Sequence, residues 1–185
     1  MKKVPAFFTL WALLASTCLA RIEWTYHPRV HGIDGWTSPY VTAMLGGNEI
    51  TYVPPVKWSV SDERIIPPEK TEADAYFDVV RIDSPAPWTP DRITEEEKMV
   101  LTRMIPRGST NPIILSEGPL PFRPSGQDAY EICFSYDCYA RQFNESVVFV
   151  EHDKVQLQAH FGSLKKDFPD LHSAFVASLF TFHGF

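Results

Sequence analysis

The chain has 185 residues, of which 44% are hydrophobic and 14% are aromatic, and it carries 17 basic against 23 acidic residues. This aromatic content predicts a packed core and argues against a disordered chain. The acidic balance, without any basic run, argues against a nucleic-acid partner and against adhesion to anionic lipid. A chain of this length can bury a substantial core as one domain.

The first twenty residues have the three-part order of a secretory signal. Lys2 and Lys3 are followed by an apolar run over 7–15, and Cys18 to Ala20 form a small-x-small cleavage site. The run is shorter than the ~20 residues that span a bilayer; a retained anchor and a lipidated Cys18 are the alternatives. We expect cleavage after Ala20, export to the periplasm or beyond the cell, and no membrane span afterwards. The remainder then has 15 basic against 23 acidic residues, a net charge of −8.

The next segment, residues 21–38, contains proline and glycine without a clear period, which predicts a loosely ordered N-terminal arm. A single domain is expected over 39–185. Its first element is predicted to be a hairpin, because the β-prone runs YVTAML and EITYV flank a glycine-rich break. A short helix that begins at Ser38-Pro39 is the alternative.

The middle of the chain contains one well-marked helix. A short extended piece begins at Trp58, and the alternating run over 73–82 predicts a strand. After a proline-rich connector, Thr94 and Glu97 form a capping box that predicts a helix start. The helix is expected to end at Pro106, which cannot continue it.

Consecutive strands are predicted over 130–161, with breaks near Asp137, Asn144 and His152. The last of them alternates cleanly, which is typical of an antiparallel strand with one buried side. Its apolar face holds Val155, Leu157, Ala159 and Phe161, and its polar face holds Lys154, Gln156, Gln158 and His160.

The C-terminal segment is predicted to be a helix that begins near Asp167 and closes the core. Its stripe at helical spacing comprises Leu171, Ala174, Phe175, Ser178, Leu179 and Phe182, and is apolar except for Ser178. Two or three helices against five or more strands indicate an α+β fold, with the helices laid on an antiparallel sheet.

This order of features resembles the PsbP-like family, named after an extrinsic subunit of photosystem II. The segments that carry the resemblance are ITYVPPVKWSVS, VQLQAHF and FPDLHSAFVASLFTF, and the likeness covers roughly residues 40–185. It implies an α/β/α sandwich around a central antiparallel sheet, in a non-photosynthetic exported bacterial member. The family has no common catalytic residues, so the resemblance implies no site.

Two cysteines, Cys133 and Cys138, remain after signal cleavage. An even number of cysteines in an oxidising compartment suggests a disulfide. Five residues apart on one straight strand they would face opposite sides, so a bridge requires a turn over 135–137. The alternative is two thiols packed in the sheet.

Catalytic and cofactor motifs are absent from the sequence. His152 and His160 would be ~27 Å apart along one strand, too far to share a metal ion. There is no nucleophile elbow and no glycine-rich phosphate or dinucleotide loop. We therefore expect no catalytic, cofactor or metal residues.

A binding surface is the remaining functional prediction. Its candidate residues are Trp58, Trp88, Lys154, Gln156, Gln158 and His160. Tryptophans at strand ends can form a platform for ligands, although they can equally pack over the open ends of the sheet. The polar strand face could dock a partner, or a helix could cover it and make it a polar seam.

Together these patterns favour a non-enzymatic binding or assembly module of the cell envelope, with another envelope protein as its partner. The alternative is a secreted hydrolase whose site forms only in three dimensions. A pocket lined by Asp, Glu or His would favour the hydrolase, and a shallow aromatic surface would favour the binding module.

Overall fold

Antiparallel strand pairing organises the chain. The computed structural model describes residues 20–30, 37–45, 47–61, 63–68 and 72–185. The predicted signal sequence up to Leu19 lies outside the described residues. The strands are β1 (Ala20–Arg21), β2 (Thr25–Val30), β3 (Thr37–Leu45), β4 (Asn48–Tyr52), β5 (Ser59–Ser61), β6 (Arg64–Ile66), β7 (Ala73–Arg81), β8 (Thr110–Pro119), β9 (Ala129–Cys138), β10 (Arg141–His152) and β11 (Val155–Leu164).

Two α-helices and three short helical segments complete the described fold. The helices are α1 (Pro90–Met99), which a π-helical turn extends over Val100–Met104, and α2 (Phe168–Ser178), which a 3₁₀ turn extends over Leu179–Thr181; a further 3₁₀ turn covers Pro124–Gly126. The fold is therefore α+β and mostly antiparallel sheet, as the sequence predicts.

The larger sheet has eight strands in the order β5-β6-β7-β11-β10-β9-β8, with β1 paired to β7. Its centre is the run β9, β10 and β11, joined by tight hairpins. The first hairpin turns at Tyr139 and Ala140, both with positive φ of 50° and 59°, the pairing of a type I′ turn. After this turn, β10 runs without interruption from Arg141 to His152. It therefore passes through Asn144, where the sequence predicted a break.

A smaller sheet of β2, β3 and β4 stands beside it, and the predicted hairpin is its β3–β4 pair. Residues 31–36 of the predicted N-terminal arm lie outside the described residues. Ile22 and Trp24 are buried in the main core, and β2 pairs with β3. Two apolar side chains of the described part of the arm thus enter the core, a feature that the lack of periodicity concealed.

One face of the large sheet packs against α2. Phe175 and Leu179 are fully buried there, in one cluster with Leu157 and Phe161 of β11. The ring of Phe175 lies 5.4 Å from that of Phe161 and 6.2 Å from that of Phe77. The predicted apolar stripe of the C-terminal helix is thus the stripe that closes the core.

The other face carries a second apolar cluster beneath α1. Tyr130, Ile132, Phe134 and Phe149 are buried there, and Val100 of the π-helical turn is fully buried among them. This cluster covers β9 and β10, whereas the neighbouring half of the same face, on β7 and β11, is polar.

The N-cap of α1 lies five residues before the predicted one. Thr89 is the N-cap, its side chain accepts a hydrogen bond from the backbone N–H of Arg92, and Pro90 occupies the first helical position. A proline there needs no N–H partner and has a helical φ. Thr94 instead donates its hydroxyl to the carbonyl of Pro90, so it lies inside the helix and is not its cap.

Within the part of the chain that the structure describes, no helix combines the length and the apolarity needed to cross a membrane.

The packing of α2 leads to a matched stability prediction. Phe175→Ala removes a ring with 0% exposure and should lower the free energy of unfolding by ~3–5 kcal/mol. Phe180→Ala removes the same ring from a position that is 68% exposed and should cost less than ~1 kcal/mol. Urea unfolding of both variants measures the difference; equal losses would contradict the assignment of this core.

Candidate functional site

The polar half of the second face is built by the register of β7 and β11. Gln158 pairs with Asp78 and His160 pairs with Tyr76, so their side chains project to the same face. Gln156, Gln158 and His160 are all buried, with exposures of 4% to 5%. These are three of the residues predicted to form a binding surface, and α1 covers them.

A cavity of about 380 Å³ lies between this polar half and α1 with its π-helical turn. Its polar walls include Asp78, Glu96, Gln156, Gln158 and His160, and its apolar walls include Val80, Ile82, Met99 and Met104. Tyr76, Arg81 and Arg103 also line it. The volume lies within the range of small-molecule sites, and convergent polar groups in an apolar frame are typical of them.

A polar network that shares Glu96, Gln156 and Gln158 with the cavity attaches α1 to the sheet. Arg92 donates to the Glu151 carboxylate from both terminal nitrogens of its guanidinium. The side-chain amide of Gln156 donates to the same carboxylate over 2.8 Å. Gln158 in turn donates to the Gln156 carbonyl over 2.6 Å. The carboxylate of Glu96 lies 3.9 Å from Arg92, and burial raises the pKa of Glu96. Gln156 and Gln158 of the predicted polar face belong to this network.

The innermost group is His160. Its ring is stacked on Tyr76 with centroids 4.3 Å apart, and neither ring nitrogen has a hydrogen-bond partner among the described residues. Its Nε2 lies 3.6 Å from Asp78 Oδ2, too far for a good hydrogen bond. Burial, assisted by the nearby positive charge of Arg21, lowers the pKa of His160 to about 3. The imidazole is therefore neutral at physiological pH.

Asp78 and Tyr76 are held by Arg21. The Arg21 Nε donates to Asp78 over 3.3 Å, and its guanidinium lies 4.0 Å above the Tyr76 ring. Burial raises the pKa of Asp78, and Arg21 opposes that rise. Burial likewise raises the pKa of Tyr76, so the phenol keeps its proton at every physiological pH.

Farther along the same face, Glu145 is a second ionisable group removed from water. It accepts a hydrogen bond from the Tyr136 hydroxyl. Burial raises the pKa of Glu145 to about 7, against the opposing effect of that hydrogen bond. This face of the sheet thus contains an acid, Glu145 on β10, and a base, His160 on β11, that both favour their neutral forms.

The other predicted binding residues lie apart from the cavity. Trp58 is buried in the core, with its ring 5.8 Å from Phe161, so its assignment to an exposed platform is wrong. Trp88 is partly buried and stacks on Tyr130 with centroids 4.5 Å apart. It therefore packs over the sheet, which is the alternative that the sequence left open. Lys154 is exposed in the β10–β11 turn.

The disulfide weighed from the sequence is not formed. Cys133 and Cys138 are free thiols on one uninterrupted strand, β9. Cys133 belongs to the cluster on the α2 face and Cys138 to the cluster on the α1 face. The turn that a bridge requires is absent from this strand, because the chain reverses only after Cys138. The structure therefore has the alternative arrangement, in which two free thiols are packed in the sheet.

A second group of side chains converges on the α2 face. The Nε2 of His172 lies 2.7 Å from Glu131 Oε1 and 3.9 Å from Cys133 Sγ, and these three residues could hold a metal ion. None of these three residues was predicted as a metal ligand from the sequence. The rings of Phe168 and His172, which are one helical turn apart, are stacked with centroids 4.6 Å apart. This spacing of a histidine after an apolar residue is the sequence signal that could have indicated an inward-facing His172.

Comparison with known proteins yields solved structures only. No protein-family model matches the chain, and no curated protein matches it. The fold is similar to the solution structure of PsbP (CyanoP) from Synechocystis sp. PCC 6803, with a TM-score of 0.47, 13% identity and coverage of 88% of this chain and 93% of that chain. It is also similar to a Pseudomonas aeruginosa protein of unknown function, with a TM-score of 0.46, 14% identity and coverage of 86% and 95%.

The raised pKa of Glu145 predicts a specific pH dependence of stability. The folded state binds a proton that the unfolded state releases between the ordinary pKa of 4.5 and about 7. The contribution of Glu145 to stability is therefore full below pH 4.5 and is lost as the pH rises through 7. Glu145→Gln stays neutral and should be more stable than the parent by about 1–3 kcal/mol at pH 8, with the gain much smaller at pH 4.

The measurement is chemical unfolding of the parent and the variant across this pH range. Glu49→Gln, at an exposed position of β4, is the matched control and should parallel the parent. A stability gain for Glu145→Gln that does not change with pH would contradict a neutral buried carboxyl.

Proposed function

We propose that the protein is a non-enzymatic binding module of the cell envelope, and that its binding site is the cavity beneath α1. The observation that carries this proposal is the contrast between the two halves of one sheet face. On β9 and β10 the face is apolar and closed by the π-helical turn. On β7 and β11 it is polar, buried and hollow.

The polar half costs stability that the fold alone does not require. A buried polar group without a hydrogen bond is destabilising by about 1–3 kcal/mol, and both nitrogens of His160 are in that state. Apolar residues at these positions would extend the cluster beneath α1. Sequence choices that conflict with stability concentrate at functional sites, which supports a binding role for this cavity.

The walls of the cavity indicate the class of ligand. The neutral imidazole and the Gln158 carboxamide match uncharged donors and acceptors such as an amide. Two exposed cations, Arg81 and Arg103, line the cavity and match a carboxylate, whereas Met99 and Met104 match an aliphatic group. The ligand we propose is a small organic acid that carries an amide or hydroxyl group and a short aliphatic chain.

The hydrolase alternative rests on the approach of Asp78 to His160, a carboxylate–imidazole pair in a cavity. Among the described residues that line the cavity, none is a serine, a threonine or a cysteine, so this pair has no neighbouring nucleophile. A general base works best with a pKa near the operating pH, and the pKa of His160, lowered to about 3, makes it a weak base. The residues of this cavity are therefore better suited to ligand binding than to hydrolysis.

Two finer assignments belong to the same proposal. The α/β/α sandwich is supported by the two apolar clusters, one beneath α2 and one beneath α1. Export is supported by the charge and hydropathy order of the first twenty residues.

N-terminal sequencing of protein recovered from outside the cytoplasm should begin at Arg21, and a chain that retains Met1 would contradict cleavage.

The cavity proposal predicts binding of N-acetyl-leucine, which carries an amide, a carboxylate and an aliphatic side chain. In an NMR titration its addition should shift the methyl signals of Met99 and Met104, which line the cavity. Met44 is 70% exposed and reports nonspecific contact. N-acetyl-leucinamide, which lacks the carboxylate, should bind more weakly because it loses the contact with Arg81 and Arg103.

Two glutamine variants make the test specific. Gln158→Leu should weaken binding about three- to tenfold, because one hydrogen bond contributes about 1 kcal/mol. Gln142→Leu, at an exposed position of β10, should bind like the parent. Shifts at Met44 that match those at Met99, or binding that Gln158→Leu leaves unchanged, would contradict the assignment of this cavity.

A further inference from the structure

The face of the sheet opposite the cavity presents three potential metal ligands of three chemical types. Glu131 and Cys133 are two residues apart on β9, so their side chains lie on the same face. His172 belongs to the second turn of α2 and lies over them. The ligand atoms of the three side chains all lie within 4.8 Å of one another.

The distances are close to those of a tetrahedral metal site. Around a zinc ion with ordinary bond lengths, the sulfur and nitrogen ligands would be ~3.6 Å apart and the nitrogen and oxygen ligands ~3.3 Å apart. In the structure the Cys133 Sγ–His172 Nε2 distance is 3.9 Å and the His172 Nε2–Glu131 Oε1 distance is 2.7 Å. Side-chain shifts of about half an ångström would therefore reach ligand geometry.

The supporting contacts hold the ligands in place. The imidazole of His172 is stacked on Phe168 with an interplanar angle of 14°, which limits its rotation. Burial raises the pKa of the Cys133 thiol to about 12, and the side chain of Ser116, opposite Cys133 on β8, opposes that rise. Such outer contacts orient the ligands of metal sites.

The arrangement does not fit a thiol nucleophile with a histidine base. In a catalytic triad the two ring nitrogens have separate partners, one the nucleophile and the other the acid. Here the same nitrogen, Nε2, faces both Cys133 and Glu131. Three ligand atoms that converge on one point suit an ion placed among them.

We propose that Glu131, Cys133 and His172 bind one divalent cation of the zinc class. The thiol proton of Cys133 leaves to solvent as the sulfur–metal bond forms, and the carboxylate and the neutral imidazole supply the other two bonds. The side chains of His172 and Glu131 are 19% and 17% exposed, so solvent can reach a fourth coordination position. A site with three protein ligands and one open position is of the kind that takes water or a ligand group.

The test uses Co²⁺ as a spectroscopic substitute for zinc, in the full chain carrying Cys18→Ser. We expect one equivalent of Co²⁺ to produce a thiolate-to-cobalt charge-transfer band that zinc abolishes. Cys133→Ser should lose the band, and His172→Gln should bind at least tenfold more weakly. Cys138→Ser, a buried cysteine of the same strand that faces the other side, should keep the band.

A second measurement does not depend on the folding of the variants. In the parent protein, zinc should slow alkylation of Cys133 and leave Cys138 unaffected. No charge-transfer band, a band that Cys138→Ser removes and Cys133→Ser keeps, or equal alkylation of Cys133 with and without zinc would each overturn the proposal. The ligand titration of the cavity reports on the opposite face, so either site can fail without the other.

Discussion

The ion pair between Arg92 and Glu151 is the contact on which the second face of the sheet depends. No residue within α1 itself is fully buried, so apolar burial alone attaches this helix weakly. Arg92 is 15% exposed and Glu151 9% exposed at their side chains, and Arg92 also lies 3.9 Å above the Trp88 ring. Removing one partner of such a pair typically costs ~3–5 kcal/mol, because the other charge stays buried. The pair thereby fixes how closely α1 approaches the sheet.

This attachment explains why a cavity persists beneath α1. The helix is held at one end by the Arg92 network and at the other by Val100 in the apolar cluster. Between them, the polar side chains of β7 and β11 are buried without being closely covered. On the opposite face, α2 buries Phe175 and Leu179 directly against the sheet, in one cluster with side chains of β7 and β11. The two proposed sites thus differ in kind: a hollow on the α1 face, and three converging ligands at the α2–β9 contact.

Much of the fold is predictable from local pattern. The alternation of β11 assigned Leu157 and Gln158 to opposite faces, and the stripe of α2 identified Phe175 as core, because both periods are intrinsic to the backbone. The start of α1 was misplaced because Thr94 and Glu97 have the spacing of a capping box, whereas the helix already begins at Pro90 with Thr89 as its N-cap. The sites themselves needed tertiary information. Sequence alone could not show that α1 covers the polar face of β11, nor that His172 reaches Glu131 and Cys133 from 39 to 41 positions along the chain.

The central claim is that the polar half of the α1 face is buried around a neutral imidazole. The most direct measurement is an NMR titration of the ring nitrogens of His160, assigned by comparison with His160→Phe. This histidine should stay neutral at pH 5 and begin to take up a proton only as the pH approaches 3. A transition near 6.5, the ordinary pKa of a histidine in water, would show that His160 is solvated and would contradict the buried polar site.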